Sequence, residues 1–375
     1  MTPSSEPTKR VAGGGKVRGP VTYLFAGGGT GGHITPGLAI AAELVRLDPT
    51  ARILFHGSGR DVERKLVTAA GYELLTNRFP SSSDLRRHPF RSLWRAGVEW
   101  AGGRRLLSIA NVAAVIGLGG YASVPAGLAA RSQRVPLVLL EQNVIPGRSV
   151  DWLARRADLI CGAFDETANL LPRGTRYLNT GNPVRAEIAA LGRVIRSPRD
   201  TLVILGGSQG AESLNTAVLS LIAAKQLSIW NGRIVHQTGA TDFDRVRSAY
   251  ASAGMAARVE PFIEELVPVY ESAGLAISRA GATTLAELAC AGCPAILLPY
   301  KQATRDHQRV NAEWYVQRGA ALLADDDALS EQFGRLAADG SLRDEMGRRM
   351  LSTARTNAAA EVAGRIVACA RRGPA

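Results

Sequence analysis

The sequence predicts two α/β domains, each a parallel sheet covered by helices, facing one another across a cleft. Three observations predict this. Short apolar runs alternate with amphipathic segments, as where "VTYLFAGGG" leads into "PGLAIAAELVRL", the pattern of strands joined by crossover helices. The pattern restarts half-way: "LFAGGGTGGHITPGLAIAAEL" and "LVILGGSQGAESLNTAVLSLI" both read as strand, glycine turn, helix. A chain of 375 residues also exceeds the usual size of one core.

Residues 1–19 contain no apolar signal core and read as a disordered basic arm. The first strand then runs into the glycine turn. Thr35-Pro36 supplies an N-cap and a first helical position, so the helix is expected to start after His33 and leave it exposed in the loop. "RILFHG", "AAVIGLGG", "VPLVLLEQN" and "ADLICGAF" supply further strands. Asn182-Pro183 and the polar run behind it suit a linker, dividing the chain into domains 20–182 and 183–375, with the last helix free to pack back on the first. In the second domain "TLVILGG", "RIVHQTG", "AGLAISRAG" and "CPAILLPY" repeat the strand pattern.

Composition narrows the function classes. The net charge of +12 favours an anionic partner, yet no nucleic-acid-binding motif or aromatic–basic platform is present. Residues 106–130 carry no charge, but Gly117, Gly119, Gly120 and Pro125 break them into strand, turn and helix rather than a membrane span. Cys290 and Cys293 form C-x-x-C at the end of a helix, before Pro294. Redox pairs gain reactivity at a helix N-terminus, so these read as two buried small residues in a reducing cytoplasm.

Three glycine loops precede helices, at 27–32, 206–210 and 280–282. Each can turn backbone N–H groups and a helix N-terminus toward phosphate. Gly27, Gly29 and Gly32 match the dinucleotide spacing G-x-G-x-x-G. That site also needs an acidic residue at the tip of the second strand; "RILFHGSGRD" has none there, with Asp61 beyond two more glycines. A nucleoside diphosphate fits the second domain better. Ser208 adds a hydroxyl to the middle loop, and Glu287, about a turn into a helix, can accept hydrogen bonds from both ribose hydroxyls.

The ordered set "GGTGGHITPG", "GGYASVPAGLAA", "EQNVIPG", "GNPVR", "GGSQGA", "SRAGATTLAELACAGCPAILLPY" and "DHQRVNAEW" resembles the MurG family. These are the N-acetylglucosaminyltransferases of peptidoglycan synthesis that convert lipid I to lipid II, and the resemblance spans residues 21–370. It implies the GT-B glycosyltransferase fold, with two Rossmann-like parallel-sheet domains facing a cleft. The acceptor, undecaprenyl-pyrophosphoryl-muramyl-pentapeptide, would lie on the first domain and UDP-N-acetylglucosamine (UDP-GlcNAc) on the second. Donor contacts would fall on Thr30, Gly31, Gly32, Asn143, Arg185, Ser208, Ile263, Ala282, Thr283, Thr284, Leu285, Ala286, Glu287 and Gln308. Ile263 would meet uracil through its backbone, Glu287 the ribose, Ser208 the phosphate, and Asn143 and Gln308 the sugar hydroxyls. The chain has Leu140 where the family often has histidine, Ser149 where it has asparagine, and a divergent loop "FPSSSDLRRHP".

The resemblance implies inversion: the acceptor's C4 hydroxyl attacks the anomeric carbon of an α-linked sugar and leaves a β-linkage. Such a step needs a base for the hydroxyl and stabilisation of departing UDP. His33 is the first candidate base and Glu141 the second, while His307 beside Asp306 suits a sugar contact or a helix cap. No D-x-D motif suggests a metal held for the diphosphate, and "ADDDAL" lies beyond the donor motifs, so neither metal nor cofactor is expected; helix N-termini, Ser208 and Arg185 would meet the leaving charge.

Residues 78–105 hold seven arginines against two carboxylates. Within them Phe90, Leu93, Trp94, Gly97 and Ala101 recur at helical spacing, flanked by Arg91 and Arg95. An apolar stripe with basic flanks suits anionic lipid, which would place the enzyme peripherally on the cytoplasmic face of the cell membrane, beside other cell-wall synthesis proteins. The alternatives are another nucleotide-sugar enzyme, such as a lipid glycosyltransferase or UDP-sugar epimerase, and a non-catalytic membrane scaffold.

Overall fold

Strand β1 (Thr22–Gly27) is buried along its whole length, as befits the middle of a sheet covered on both faces. In the computed structural model, which describes residues 20–77, 87, 89–193, 199–207, 210–301, 304–325 and 327–372, it is joined by β2 (Arg52–Gly57), β3 (Glu73–Thr76), β4 (Val112–Gly119), β5 (Leu137–Glu141), β6 (Leu159–Gly162) and β7 (Tyr177–Asn179). All pair in parallel in the order β3-β2-β1-β4-β5-β6-β7. The second sheet is parallel too. It contains β8 (Thr201–Leu205), β9 (Ile234–Gln237), β10 (Arg258–Glu260), β11 (Ala273–Ser278), β12 (Ala295–Leu297) and β13 (Ala321–Leu323) in the order β10-β9-β8-β11-β12-β13. The chain therefore folds as two doubly wound, Rossmann-like domains. Strand order reverses between β1 and β4 and between β8 and β11, the switch points at which α/β sheets gather ligand loops.

Strand periodicity sends alternate residues to opposite faces. Phe25 stacks on Phe55 at 5.0 Å on one face of the first sheet, in a core with Ile34, Ile40 and Leu44 of the helix Gly31–Leu47. Leu24, Leu54 and Val115 face the other way, toward the helix Val124–Ser132. Val362, Ala363 and Ile366 of the final helix, Ala358–Arg372, join the core containing Phe25. The helix Ala358–Arg372 thus packs on the first domain. Val144 and Phe164 of the first domain in turn enter the core formed by Val203, Ala276 and Leu288 of the second.

One expectation is overturned. The first helix starts at Gly31, with Thr30 in an extended N-cap conformation, so His33 lies in its first turn and Pro36 lies inside the helix. Thr35-Pro36 imitates a helix start, but the backbone winds one turn earlier. Cys290 and Cys293 are buried on either side of Gly292, the left-handed C-cap of the helix Ala282–Ala291. Burial pushes both thiols up to about 12, which leaves no reactive pair. Among the described residues, no helix is long and apolar enough to cross a membrane.

Candidate functional site

The loops following β1, β4, β8 and β11 open into one cleft of about 2480 Å³ between the domains. Thr30, Gly31, Gly32, His33 and Asn143 line it from the first domain. Arg185, Ile263, Ala282, Thr283, Thr284, Glu287, His307 and Gln308 line it from the second. Ser208 lies outside the described residues. The cleft brings the remaining predicted side chains together, with three exceptions: Glu141, Leu285 and Ala286.

The first glycine loop is held by side chains rather than left open for a phosphate. Gly27, Gly28 and Gly29 have φ of 113°, 131° and 95°, a region that side chains disfavour. Gly29 N–H donates to the Oε1 of Glu63, whose Oε2 accepts from Ser58 Oγ at 2.9 Å and Arg60 N–H at 3.1 Å. Arg60 Nη1 donates to Gly29 C=O at 3.0 Å. A buried carboxylate against that N–H opposes a dinucleotide phosphate there, which excludes the G-x-G-x-x-G match on electrostatic grounds.

His33 follows directly. Its Nδ1 stands 3.3 Å from Thr30 Oγ1, and a Cβ on Gly119 would come within 3.1 Å of its Nε2. Burial is the main cause that holds its pKa below the usual 6.5; nearby His307 adds to the effect, against a Gly28 backbone hydrogen bond and the charge of Glu63. The imidazole is therefore neutral at neutral pH and able to accept a proton.

Glu141 does different work from that expected of it. Its Oε1 accepts from Asn143 N–H at 2.9 Å and Asn143 Nδ2 at 3.2 Å, and its Oε2 from Gly147 N–H at 2.7 Å. The side chain is 3% exposed, and burial raises its pKa to about 7 against the opposing pull of those donors. It ties down the loop 141–147 and does not line the cleft. Leu285 is a core residue, and its N–H donates to Gly281 C=O at 3.0 Å. Ala286 faces a separate small cavity beside Asn182 and Trp314. Helical periodicity splits the run 282–287, turning 285 and 286 away from the cleft and 287 back toward it.

On the second domain, Tyr270 OH donates to Glu287 Oε2 at 2.9 Å. Burial raises the Glu287 pKa, against the lowering effects of Arg185 and Tyr270. The buried Nε of Arg185 has no hydrogen-bond partner among the described residues. Ile263 N–H donates to Gln237 Oε1 at 3.0 Å, while Gln237 Nε2 donates to Gly207 C=O at 2.9 Å. Gln308 Oε1 accepts from Tyr300 N–H at 3.0 Å.

The domains are also bonded to each other around the cleft. Asn311 Nδ2 donates to Asn143 Oδ1 at 3.0 Å, and its Oδ1 accepts from Val144 N–H at 3.0 Å. Arg305 reaches Asp151 at 2.5 Å and Pro146 C=O at 3.1 Å. Thr283 Oγ1 donates to Gly32 C=O at 2.9 Å.

Residues 23–161 match the model for the glycosyltransferase family 28 N-terminal domain, and residues 201–363 the model for its C-terminal domain. A Pelobacter propionicus protein is 38% identical over 369 residues, covering 90% of this chain and 96% of that protein. It is named UDP-N-acetylglucosamine--N-acetylmuramyl-(pentapeptide) pyrophosphoryl-undecaprenol N-acetylglucosamine transferase. The crystal structure of Acinetobacter baumannii MurG superposes with a TM-score of 0.72 at 29% identity, covering 93% of this chain and all of that one.

The chain belongs to the MurG family.

A UDP-GlcNAc 2-epimerase from Neisseria meningitidis also superposes, with a TM-score of 0.63 at 13% identity over 93% of this chain and 99% of that one; this shows a shared fold alone. Three residues that organise the cleft were not singled out by the sequence reading. Asn311 sits in "DHQRVNAEW", a stretch singled out for His307 and Gln308, and Gln237 in "RIVHQTG", read only as a strand. Glu63 follows Arg60 at the spacing of a helix capping box, which was its one legible signal.

The helix Pro89–Ile109 lies apart from the cleft. Its buried side carries Ser92, Gly103 and Leu107, where a Cβ on Gly103 would meet Ala129 at 3.3 Å. The opposite side shows Phe90 at 88% exposure and Trp94 at 70%, with Val98, Gly97 and Ala101 continuing the stripe. Arg91 is exposed and Arg95 half-buried beside it; the Leu93 side chain lies outside the described residues.

Proposed function

We propose that this chain transfers N-acetylglucosamine from UDP-GlcNAc to the C4 hydroxyl of lipid-linked N-acetylmuramyl-pentapeptide, with inversion at the anomeric carbon. The observation that carries the reading is the pairing of a neutral His33 on one wall of the cleft with Glu287 and Arg185 on the other. The names and full-length coverage of the relatives supply the substrates.

His33 takes the proton from the attacking hydroxyl as general base. The N-terminus of the helix Ala282–Ala291, the 206–207 backbone and the Arg185 guanidinium meet the charge that develops on departing UDP. With Oε2 held by Tyr270, Glu287 offers Oε1 to the ribose hydroxyls. Since the Ile263 N–H is taken by Gln237, its uracil contact falls to the carbonyl. Asn143 retains one amide hydrogen and Gln308 its Nε2 group for sugar hydroxyls. No metal or cofactor takes part in this scheme.

The stripe Phe90–Trp94–Val98 with Arg91 and Arg95 would seat the first domain on an anionic leaflet, at the cytoplasmic face where a nucleotide sugar meets a lipid-linked acceptor. The deciding experiment supplies labelled UDP-GlcNAc and a lipid I analogue, then reads the label in lipid product and the anomeric configuration by NMR. A β-linked disaccharide is expected. Conversion of the donor to its 2-epimer, with an unlabelled acceptor, would support the epimerase alternative instead.

A further inference from the structure

Pro36 has no N–H to give to the carbonyl four residues earlier, so Gly32 C=O lacks its intrahelical donor within the helix Gly31–Leu47. That carbonyl belongs to the residue before His33. It accepts instead from Thr283 Oγ1 at 2.9 Å, a hydroxyl on the other domain. Thr283 is the second residue of the helix Ala282–Ala291, which also carries Glu287. One hydrogen bond therefore joins the helix that bears the candidate base to the helix that bears the candidate ribose ligand.

We propose that Thr283 is a positioning residue, fixing His33 relative to the donor through the carbonyl that Pro36 leaves open. The inference rests on the reading of His33 as base and of Ala282–Ala291 as donor helix. A threonine hydroxyl carries a single hydrogen, so once it donates to Gly32 it has none for a donor phosphate oxygen. Its role is thereby separated from that of its neighbours in the run 282–287. The bond does not depend on glycine at 32: a Cβ there would stand 3.9 Å from Thr283 Oγ1, in ordinary contact. The domains are also held by Asn311 to Asn143 and by Arg305 to Asp151. Loss of the Thr283 bond therefore loosens the His33 turn without releasing the domains from one another.

The test compares Thr283→Val, which keeps the shape and loses the donor, with Thr283→Ser, which keeps the donor. Three quantities are read on the full chain: kcat, KM for UDP-GlcNAc, and hydrogen exchange of the peptide spanning residues 28–38 with UDP bound. For Thr283→Val, kcat falls roughly 3- to 10-fold, the range expected of one net hydrogen bond, KM stays within about twofold, and exchange across Gly31–Thr35 quickens. Thr283→Ser restores both rate and protection. Unchanged kcat and exchange in Thr283→Val would overturn the proposal. So would a raised KM with unchanged exchange, which would make Thr283 a donor ligand, or a failure of serine to rescue. Full kcat in a parallel His33→Ala variant overturns the base assignment beneath it, a failure distinguishable because exchange in Thr283→Val would still quicken.

Discussion

Replacing Glu63 by glutamine tests how the first glycine loop is held. The carboxylate accepts from three donors: Gly29 N–H, Ser58 Oγ and Arg60 N–H. A glutamine amide has one oxygen. If that oxygen serves Ser58 and Arg60, the NH₂ group faces Gly29 N–H, so one bond is lost and a buried donor is left unpaired. Such a defect costs about 1–3 kcal/mol; relief of the buried charge offsets part of it, because no ion-pair partner shares the Glu63 carboxylate among the described contacts. A domain of this size shifts by about 2–4 °C per kcal/mol, so scanning calorimetry should place the first domain's midpoint roughly 2–12 °C lower. The His33 turn moves with the loop, and kcat should fall about tenfold or more, since small misplacements of a catalytic group are costly. A midpoint within about 1 °C of the parent, together with full kcat, would refute the assignment of Glu63 as the loop's anchor.

Three further outcomes follow from the same geometry. The folded pKa of His33 is lowered, so the active neutral form persists below pH 6.5 and the rate is lost only as pH falls through that depressed value; a pH–kcat profile should place the acid limb below about 6.5, and a limb above it would exclude His33. Gly119→Ala adds a methyl within 3.1 Å of His33 Nε2 at a residue with φ of 97°, strain of about 1–3 kcal/mol; kinetics should show kcat reduced roughly tenfold, with donor affinity retained. Phe90→Ser combined with Trp94→Ser removes the exposed anchors; co-sedimentation with anionic vesicles should weaken strongly, and unchanged sedimentation would remove the stripe from the account.

The alternation of strands and helices was legible because period-2 and period-3.6 patterns are local properties. The helix starts ahead of its local signal for a tertiary reason. Thr35-Pro36 is a strong local signal, but an internal proline is accommodated where the carbonyl it leaves behind finds Thr283 on the other domain. Glu141 reads as reactive at the end of a strand, yet the N–H groups of Asn143 and Gly147 turn back onto it. That return is visible only once the loop is folded. The run 282–287 reads as one binding stretch in sequence, while a helix can present only part of it to the cleft and buries Leu285. Glu63 shows the converse case, a residue with an ordinary helix-start signature whose importance comes from meeting Gly29 across 34 residues of chain.

The most direct measurement of the central claim is donor affinity alongside turnover in two single variants. UDP-GlcNAc binding by calorimetry and sugar transfer to a lipid I analogue would be measured for His33→Ala and Glu287→Ala. His33→Ala is expected to bind the donor normally and lose turnover, while Glu287→Ala loses donor affinity. Full turnover in His33→Ala, or undiminished donor affinity in Glu287→Ala, would contradict the division of labour between the two walls of the cleft.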